Sequence, residues 1–270
     1  YHGISGSLNQ QSKTIPAPTY TEVFGNTIVE LAEKNPRIVG ITAAMGHHGG
    51  FAEFQEKFPN RFFDVGIAEQ HAVTFAAALG INQEIKPIVM IYNTFLQRAF
   101  DSLIHDAALH HSDILLAIDR TGLVGADGPT HHGSFGLSFL RMIPNFTIAV
   151  PRNENLLRNL LYTGSLKGKG PFAVLYPRGC ATGEPMDDHF TEIPSGFLEI
   201  LRQGDDLLIF STGAMSNNTQ IAADVLKEDF SIHATVVDLV YLKPLNEEKI
   251  IQLLQSKAGK NIVIIEENSL

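Results

Sequence analysis

Short apolar runs, each followed by a longer stretch with helical periodicity, constrain this chain more than any other feature. The runs are 37–42 (RIVGIT), 61–65 (RFFDV), 86–92 (KPIVMIY), 113–119 (DILLAID), 145–150 (NFTIAV) and 171–176 (PFAVLY). Helical patterns occupy 21–34, 68–81, 96–111 and 153–165. A strand with one wet face alternates apolar and polar residues. Near-continuous Val, Ile and Leu instead indicate strands covered on both faces, as in a parallel sheet between helix layers. Residues 177–204 turn Pro-, Gly- and charge-rich, as linkers do. A second alternation follows: strand 206–211 (DLLIFS), helix 216–227, strand 232–238 (IHATVVD), helix 246–256 and strand 261–266 (NIVIIE). The expected fold class is α/β, with two doubly wound parallel-sheet domains. The expected divisions are 1–19 as a linker from a missing N-terminal domain, 20–178 as the first domain, 179–204 as a linker, and 205–270 as a partial second domain.

Composition narrows the function classes. Hydrophobic content of 44% and charged content of 18% are globular values and exclude wholesale disorder. The net charge is −9, and no Lys/Arg block forms a nucleic-acid or membrane patch. One cysteine, Cys180, excludes an internal disulfide framework and fits a reducing compartment. Beside PRG it reads as a small filler rather than a nucleophile. No run reaches the length of a membrane span, and no signal-peptide pattern opens the chain. The start, YHGISGSLNQQSKTIPAPTY, lacks Met and reads as a linker, and KNIVIIEENSL stops just after a strand-like run. Both ends look cut, so a fragment of a longer protein is expected.

Sites in open α/β sheets collect at the carboxyl ends of strands. Strand 61–65 is followed by Glu69, and strand 86–92 ends in Tyr92 and continues as NTFLQR. Strand 113–119 gives Asp119, Arg120 and then TGLVGADGPTHHGSFG; strand 171–176 gives Tyr176 and Arg178. An acid in a helix's first turn is welcome for its dipole alone, so Glu69 has a bland reading as well as a functional one. The loop 122–136 holds five glycines, Asp127 and the pair His131 and His132. Long Gly-rich loops at strand ends are often functional, although paired histidines usually face solvent. Phe95 and Arg98 fall in the first turns of the next helix. An Arg there opposes the dipole and implies a specific partner. His47, His48, His131 and His132 lack metal-ligand spacing.

The segments YTEVFG, FFDVGIAEQHAVTFAAALG, IYNTFLQRAFDSLIHDAAL, AIDRTGLVGADGPTHHGSFGLSFLRMIPN and LYPRG resemble the 1-deoxy-D-xylulose 5-phosphate synthases. These are thiamine-diphosphate (ThDP) enzymes of the transketolase superfamily. The resemblance starts near Tyr20, covers nearly all that follows and keeps the family's order. DRTGLVGADGPTH with NTFLQR is specific to the family, whereas AEQH is shared more widely. The resemblance implies a transketolase-like pyrimidine-binding domain followed by a truncated transketolase C-terminal domain. The implied reaction decarboxylates pyruvate and joins the two-carbon unit to glyceraldehyde 3-phosphate, for isoprenoid, thiamine and pyridoxal synthesis. It further implies a homodimer in the bacterial cytoplasm or, less favoured, the plastid stroma.

By the same resemblance, Glu69 matches the glutamate that hydrogen-bonds N1′ of the aminopyrimidine ring, favouring the imino tautomer that takes the thiazolium C2 proton. Phe95 matches the aromatic that stacks on that ring, and Arg98 an arginine beside it. His131 matches a loop histidine near the reacting carbon. Tyr92, Arg120, Asp127 and Arg178 match residues that hold the aldehyde acceptor, where guanidinium groups suit its phosphate. The family's diphosphate and Mg²⁺ site is marked by GDG and a downstream Asn in an N-terminal domain. Neither occurs here, so no metal ligand is expected in these residues.

Three departures stand out. MGHHGG (Met45–Gly50) replaces MREGSG or MPxGSG, Asn93 replaces the serine of STF, and Gly136 replaces the Asp of GSFDLS. The last is expected to loosen the loop carrying His131. A rival reading is the β chain of a two-chain 2-oxoacid dehydrogenase E1; DGPTH and YPRG favour the synthase. Another is a non-catalytic binding or assembly module, against which Glu69, Phe95 and both arginines argue.

Overall fold

The computed structural model describes residues 17–256 and 258–269. Most of the expected linker 1–19 lies outside the described residues. Thr19 opens α1 (Tyr20–Lys34) with a capping box. Its hydroxyl accepts from the Glu22 N–H at 3.2 Å, and the Glu22 carboxylate accepts from the Thr19 N–H at 2.7 Å. β1 (Ile38–Thr42) leads through the Met45–Gly50 loop to α2 (Ala52–Lys57), a 3-10 turn and β2 (Phe62–Asp64). α3 (Glu69–Gly80) buries Ala72, Ala76, Ala77 and Gly80. These small residues let it lie close: a Cβ on Gly80 would sit 2.7 Å from Ser112 Oγ.

β3 (Lys86–Tyr92) runs straight into a helical segment of changing pitch. It starts as α4 (Asn93–Leu96), tightens to a 3-10 turn at Gln97–Ala99, returns as α5 (Phe100–Ser102) and widens to π-helix at Leu103–Ala108. The helix expected at 96–111 is therefore present but begins three residues earlier, and its pitch is irregular, as helices at functional sites often are. β4 (Leu115–Asp119), the Gly-rich loop, α6 (Gly136–Met142), β5 (Thr147–Ala149), α7 (Glu154–Ser165) and β6 (Phe172–Leu175) follow. The rest comprises β7 (Glu199–Arg202), β8 (Leu207–Ser211), α8 (Met215–Phe230), β9 (Ala234–Asp238), β10 (Tyr241–Lys243), α9 (Glu247–Leu254) and β11 (Ile262–Ile265).

The first sheet has the order β10-β5-β6-β4-β3-β1-β2, and the second β11-β8-β9-β7. Both are parallel except at one edge. β10 pairs antiparallel with β5, and β7 antiparallel with β9. β7 corrects the reading of 179–204 as linker throughout, since 199–202 is a strand of the second sheet. β10 corrects the division at 204, since a strand from the second half completes the first sheet. Both strands are short and half-buried at most positions, so neither carries a continuous apolar run. α2 and α6, of six and seven residues, were likewise below the reach of periodicity.

Helices cover both faces of the first sheet. Phe24, Phe51, Phe54, Leu157 and Tyr176 fill one face, and Ala76, Leu103, Leu140 and Phe146 the other. Full burial of each large side chain stabilises by about 1.5–3 kcal/mol. Among the described residues no helix is long and apolar enough to cross a membrane. At the amino end of the strands, fully buried Lys86 places Nζ 2.6 Å from Asp113 Oδ1. Asp113 also accepts from the N–H groups of Gly168 and Gly170, at 2.8 and 2.9 Å. Burial raises its carboxyl, but Lys86 and those two N–H groups hold it net below the usual range.

A second polar cluster joins the sheets. Arg152, just after β5, lies 3.0 Å from Asp238 at the end of β9 and 2.8 Å from Glu199 on β7. Ser216 donates to the other Asp238 oxygen at 2.8 Å. Burial pushes the Asp238 carboxyl up to about 6, against the pull of Ser216 and Arg152.

Candidate functional site

The chain order β2-β1-β3 reverses direction across the sheet, so a crevice opens above the carboxyl ends of β1 and β3. Glu69 is the first residue of α3 on this rim and is only 2% exposed. The cap before it, Ala68, offers no side-chain hydrogen bond. Arg98 supplies the partner that the sequence pointed to: its Nη1 donates to Glu69 Oε2 at 3.2 Å. The guanidinium is largely exposed while the carboxylate is buried.

Three residues before Arg98, Phe95 stacks on Tyr92, with centroids 5.5 Å apart and planes at 21°. The His131 ring stands edge-on to Phe95 at 5.4 Å and to Tyr92 at 6.3 Å. Tyr92 and Asp119 are register partners at the ends of β3 and β4, which brings the segment after β3 against the loop after β4. Over the other face of Tyr92 lies the Arg120 guanidinium, 4.1 Å from the ring centroid. Burial pushes the Tyr92 hydroxyl up to about 12, with Arg120 opposing, so it remains a hydrogen-bond donor.

Arg120 sits in the left-handed region at φ 63°, an uncommon backbone state for a residue with a side chain. Three carboxylate oxygens hold it there. Its N–H and its Nη1 each donate to Asp119 at 2.6 Å, and its Nε donates to Asp127 Oδ2 at 3.3 Å. Thr21 on α1 donates to Asp119 Oδ2 at 2.9 Å. Arg178 closes the group, with Nε 3.0 Å from the same Asp127 oxygen. That Nε is buried without an aligned hydrogen bond, so the contact is an ion pair with donor capacity to spare. The two arginines share one acid and line an open groove with Thr21, Asn26, His47 and His48.

The structure therefore brings Tyr92, Phe95, Arg120, Asp127, His131 and Arg178 into one cluster and sets Glu69 with Arg98 beside it on the same rim. Sequence reading named Asp119 as a strand-end residue but gave it no role. It is fully buried, and burial raises its carboxyl above the usual range while Arg120 and Thr21 oppose. Its position opposite Tyr92 was the available signal. His132 serves the loop, accepting from the Val124 N–H at 3.1 Å. Cys180, expected as a filler, is exposed on the groove wall. Among the described residues no three His, Cys, Asp or Glu side chains cluster as metal ligands.

Gly136 opens α6, is buried, and faces Asn93, whose Cγ would lie 2.7 Å from a Cβ at that position. Asn93 is itself fully buried and donates to Thr121 Oγ1 at 3.1 Å. The two departures from the family pattern occupy one space.

Residues 16–182 match the family model of the transketolase pyrimidine-binding domain, and 196–270 match that of the transketolase C-terminal domain. The chain is 48% identical over 274 residues to a 1-deoxy-D-xylulose-5-phosphate synthase of Desulfitobacterium hafniense (strain Y51), and 47% over 268 residues to that of Dictyoglomus thermophilum. The alignments cover 100% and 99% of this chain and 42% of each relative. Among solved structures, the β4 tetramer of a split-gene transketolase, described as inactive, superposes with a TM-score of 0.81 at 26% identity, covering 93% of this chain and 80% of that one. A transketolase variant from Pichia stipitis superposes with a TM-score of 0.75 at 21% identity, covering 94% and 39%.

Proposed function

From the premise that the chain belongs to the transketolase family, with a pyrimidine-binding and a C-terminal domain, we propose that it is the acceptor- and pyrimidine-binding part of a 1-deoxy-D-xylulose 5-phosphate synthase. Pyruvate loses CO₂, and its remaining two-carbon unit forms a carbon–carbon bond with the aldehyde of glyceraldehyde 3-phosphate. Support comes from the relatives' names at 47–48% identity and from the paired arginines.

The donor set fits the pyrimidine end of ThDP. A carboxylate 2% exposed suits a protonated ring nitrogen, and the half-buried Phe95 ring suits a stacked heterocycle. ThDP, when bound, supplies the nucleophilic carbon and the electron sink. Glu69 would hold the proton at the ring nitrogen, with Arg98 fixing the carboxylate. His131, held against Phe95 and Tyr92, would move protons at the reacting carbon. Arg120 and Arg178 would take the acceptor's phosphate. Asp127 keeps the two guanidinium groups adjacent, and Tyr92 packs beneath one of them.

The described residues offer no metal ligand set. The Mg²⁺ ligands and the diphosphate contacts would come from elsewhere in the assembled enzyme, so these residues alone would not turn over pyruvate. A homodimer and a cytoplasmic setting complete the proposal. The 2-oxoacid dehydrogenase reading receives less support, because the aligned relatives carry the synthase name.

The observation that carries the proposal is the Arg120–Asp127–Arg178 group beside a buried Glu69 on one rim. Glu69→Gln in the complete enzyme should slow hydrogen–deuterium exchange at the cofactor's C2 by about 10²–10⁴, the usual worth of a positioned proton-transfer group. An unchanged exchange rate would remove Glu69 from the role.

A further inference from the structure

The segment after β11 leaves the second sheet and crosses onto the loop that carries Asp127 and His131. The Glu267 carboxylate packs on Gly122, next to the backbone N–H of Leu123. Gly122 leaves the room: a Cβ there would lie 2.7 Å from Glu267 Cδ. One residue on, Asn268 Nδ2 donates to Ser138 Oγ at 2.6 Å, and the Ser269 N–H donates to the Ser134 carbonyl at 2.7 Å. The loop closes on itself beneath these contacts. The Gly122 N–H donates to Gly133 O at 3.1 Å, and the Gly133 N–H donates to Gly122 O at 2.8 Å. Glu267 also lines a small cavity between the sheets with Thr121, Gly133, Leu137, Thr212 and Met215.

Three consecutive residues thus grip both ends of a loop whose tip holds two of the candidate site residues. Glu267 meets the incoming end, and Asn268 and Ser269 meet the outgoing end. Between the tied ends, residues 125–131 are built from two 3-10 turns separated by Gly128 at φ 82°. Such a segment has no sheet or long helix to fix it, so its placement depends on its ends together with the Asp127 ion pairs and the His131 ring contacts. Tilting the incoming end would move Asp127, and with it the spacing of Arg120 and Arg178.

We propose that Glu267 is a positioning residue, whose side chain packs on Gly122 and so sets the loop that presents Asp127 and His131. The tie links the second sheet to the groove of the first. Its consequence for the acceptor rests on the function proposed above, whereas the tie itself does not.

The test compares Glu267→Ala with Glu267→Gln, which keeps the side chain's shape and reach. In Glu267→Ala, amide hydrogen exchange across residues 123–132 should accelerate at least tenfold, while exchange in β3 and β4 stays at the parent rate. Glu267→Gln should restore most of the protection. In the complete enzyme, Glu267→Ala should raise the KM for glyceraldehyde 3-phosphate at least fivefold more than that for pyruvate. Unchanged loop exchange in Glu267→Ala would overturn the proposal, as would a glutamine variant no better protected than the alanine one. Faster loop exchange with an unmoved acceptor KM would support the tie and instead overturn the assignment of Asp127 and its arginines to the acceptor.

Discussion

Asn93 and Gly136 are 43 positions apart, and each departs from the family pattern in which serine and aspartate stand. The structure makes them one substitution in two parts. Gly136 has an ordinary negative φ, so space rather than backbone excludes a side chain there. A Cβ would meet both amide heteroatoms of Asn93 and lie 2.7 Å from its Cγ. Gly136→Asp alone should therefore cost about 1–3 kcal/mol in overpacking, and more because its carboxylate enters a buried space without a cation. Asn93→Ser alone removes the hydrogen bond to Thr121 Oγ1, worth about 0.5–1.5 kcal/mol. It also leaves a gap of two heavy atoms, and small cavities of this kind add about 1 kcal/mol. Together, the aspartate enters the space the asparagine vacates. Asn93 Oδ1, buried without a hydrogen bond, is removed at the same time. The double variant should be less destabilised than the sum of the two single variants by about 0.5–3 kcal/mol, the range of coupling for residues in contact. Urea unfolding of the parent, both single variants and the double gives the cycle. Additivity within about 0.5 kcal/mol would refute the shared-space argument.

Two other perturbations test the frame around the site. Lys86→Met leaves the Asp113 carboxylate buried without its cation and should cost about 3–5 kcal/mol in the same urea assay; a loss under about 1 kcal/mol, the scale of an exposed ion pair, would show that the pair is poorly formed. Asp238 titrates near 6 when folded against an ordinary 3.8, so between those values the folded state binds more protons than the unfolded one. Its contribution to stability should therefore fall as pH rises from 4 through 6, by at most about 3 kcal/mol. Asp238→Asn removes that titration, so parent minus variant stability should drop across this window; a flat difference would refute the assignment.

What could be read from the sequence follows from what leaves a pattern in it. β3, β4 and β6 are buried on both faces and wrote themselves as apolar runs. β7 and β10 are antiparallel edges of four and three residues, too short to show a period. The site residues were legible as polar groups at strand ends, and the family resemblance then separated Glu69 from an ordinary first-turn acid. Asp119 was overlooked because a strand's last residue looks structural until its neighbour, Arg120, is seen turned back onto it. A glycine considered alone, such as Gly136, suggests looseness and hides its packing. Only the packing shows Asn93 filling the same place. Glu267 could not have been found at all, since it packs on Gly122, 145 positions away in the chain.

β10 lies in the second half of the chain yet forms the outer edge of the first sheet, beside β5. A ribosome releases residues in order, so β5 has a bare flank from the time Ala149 is made until Lys243 emerges. That interval is 243 − 149 = 94 residues, or about 5–20 s at ordinary elongation rates. Through it, a nascent sheet shows unpaired N–H and C=O groups to every other polypeptide nearby, the circumstance in which intermolecular strand pairing begins. β5 is three residues long, so the exposed template is too short to recruit a stranger firmly.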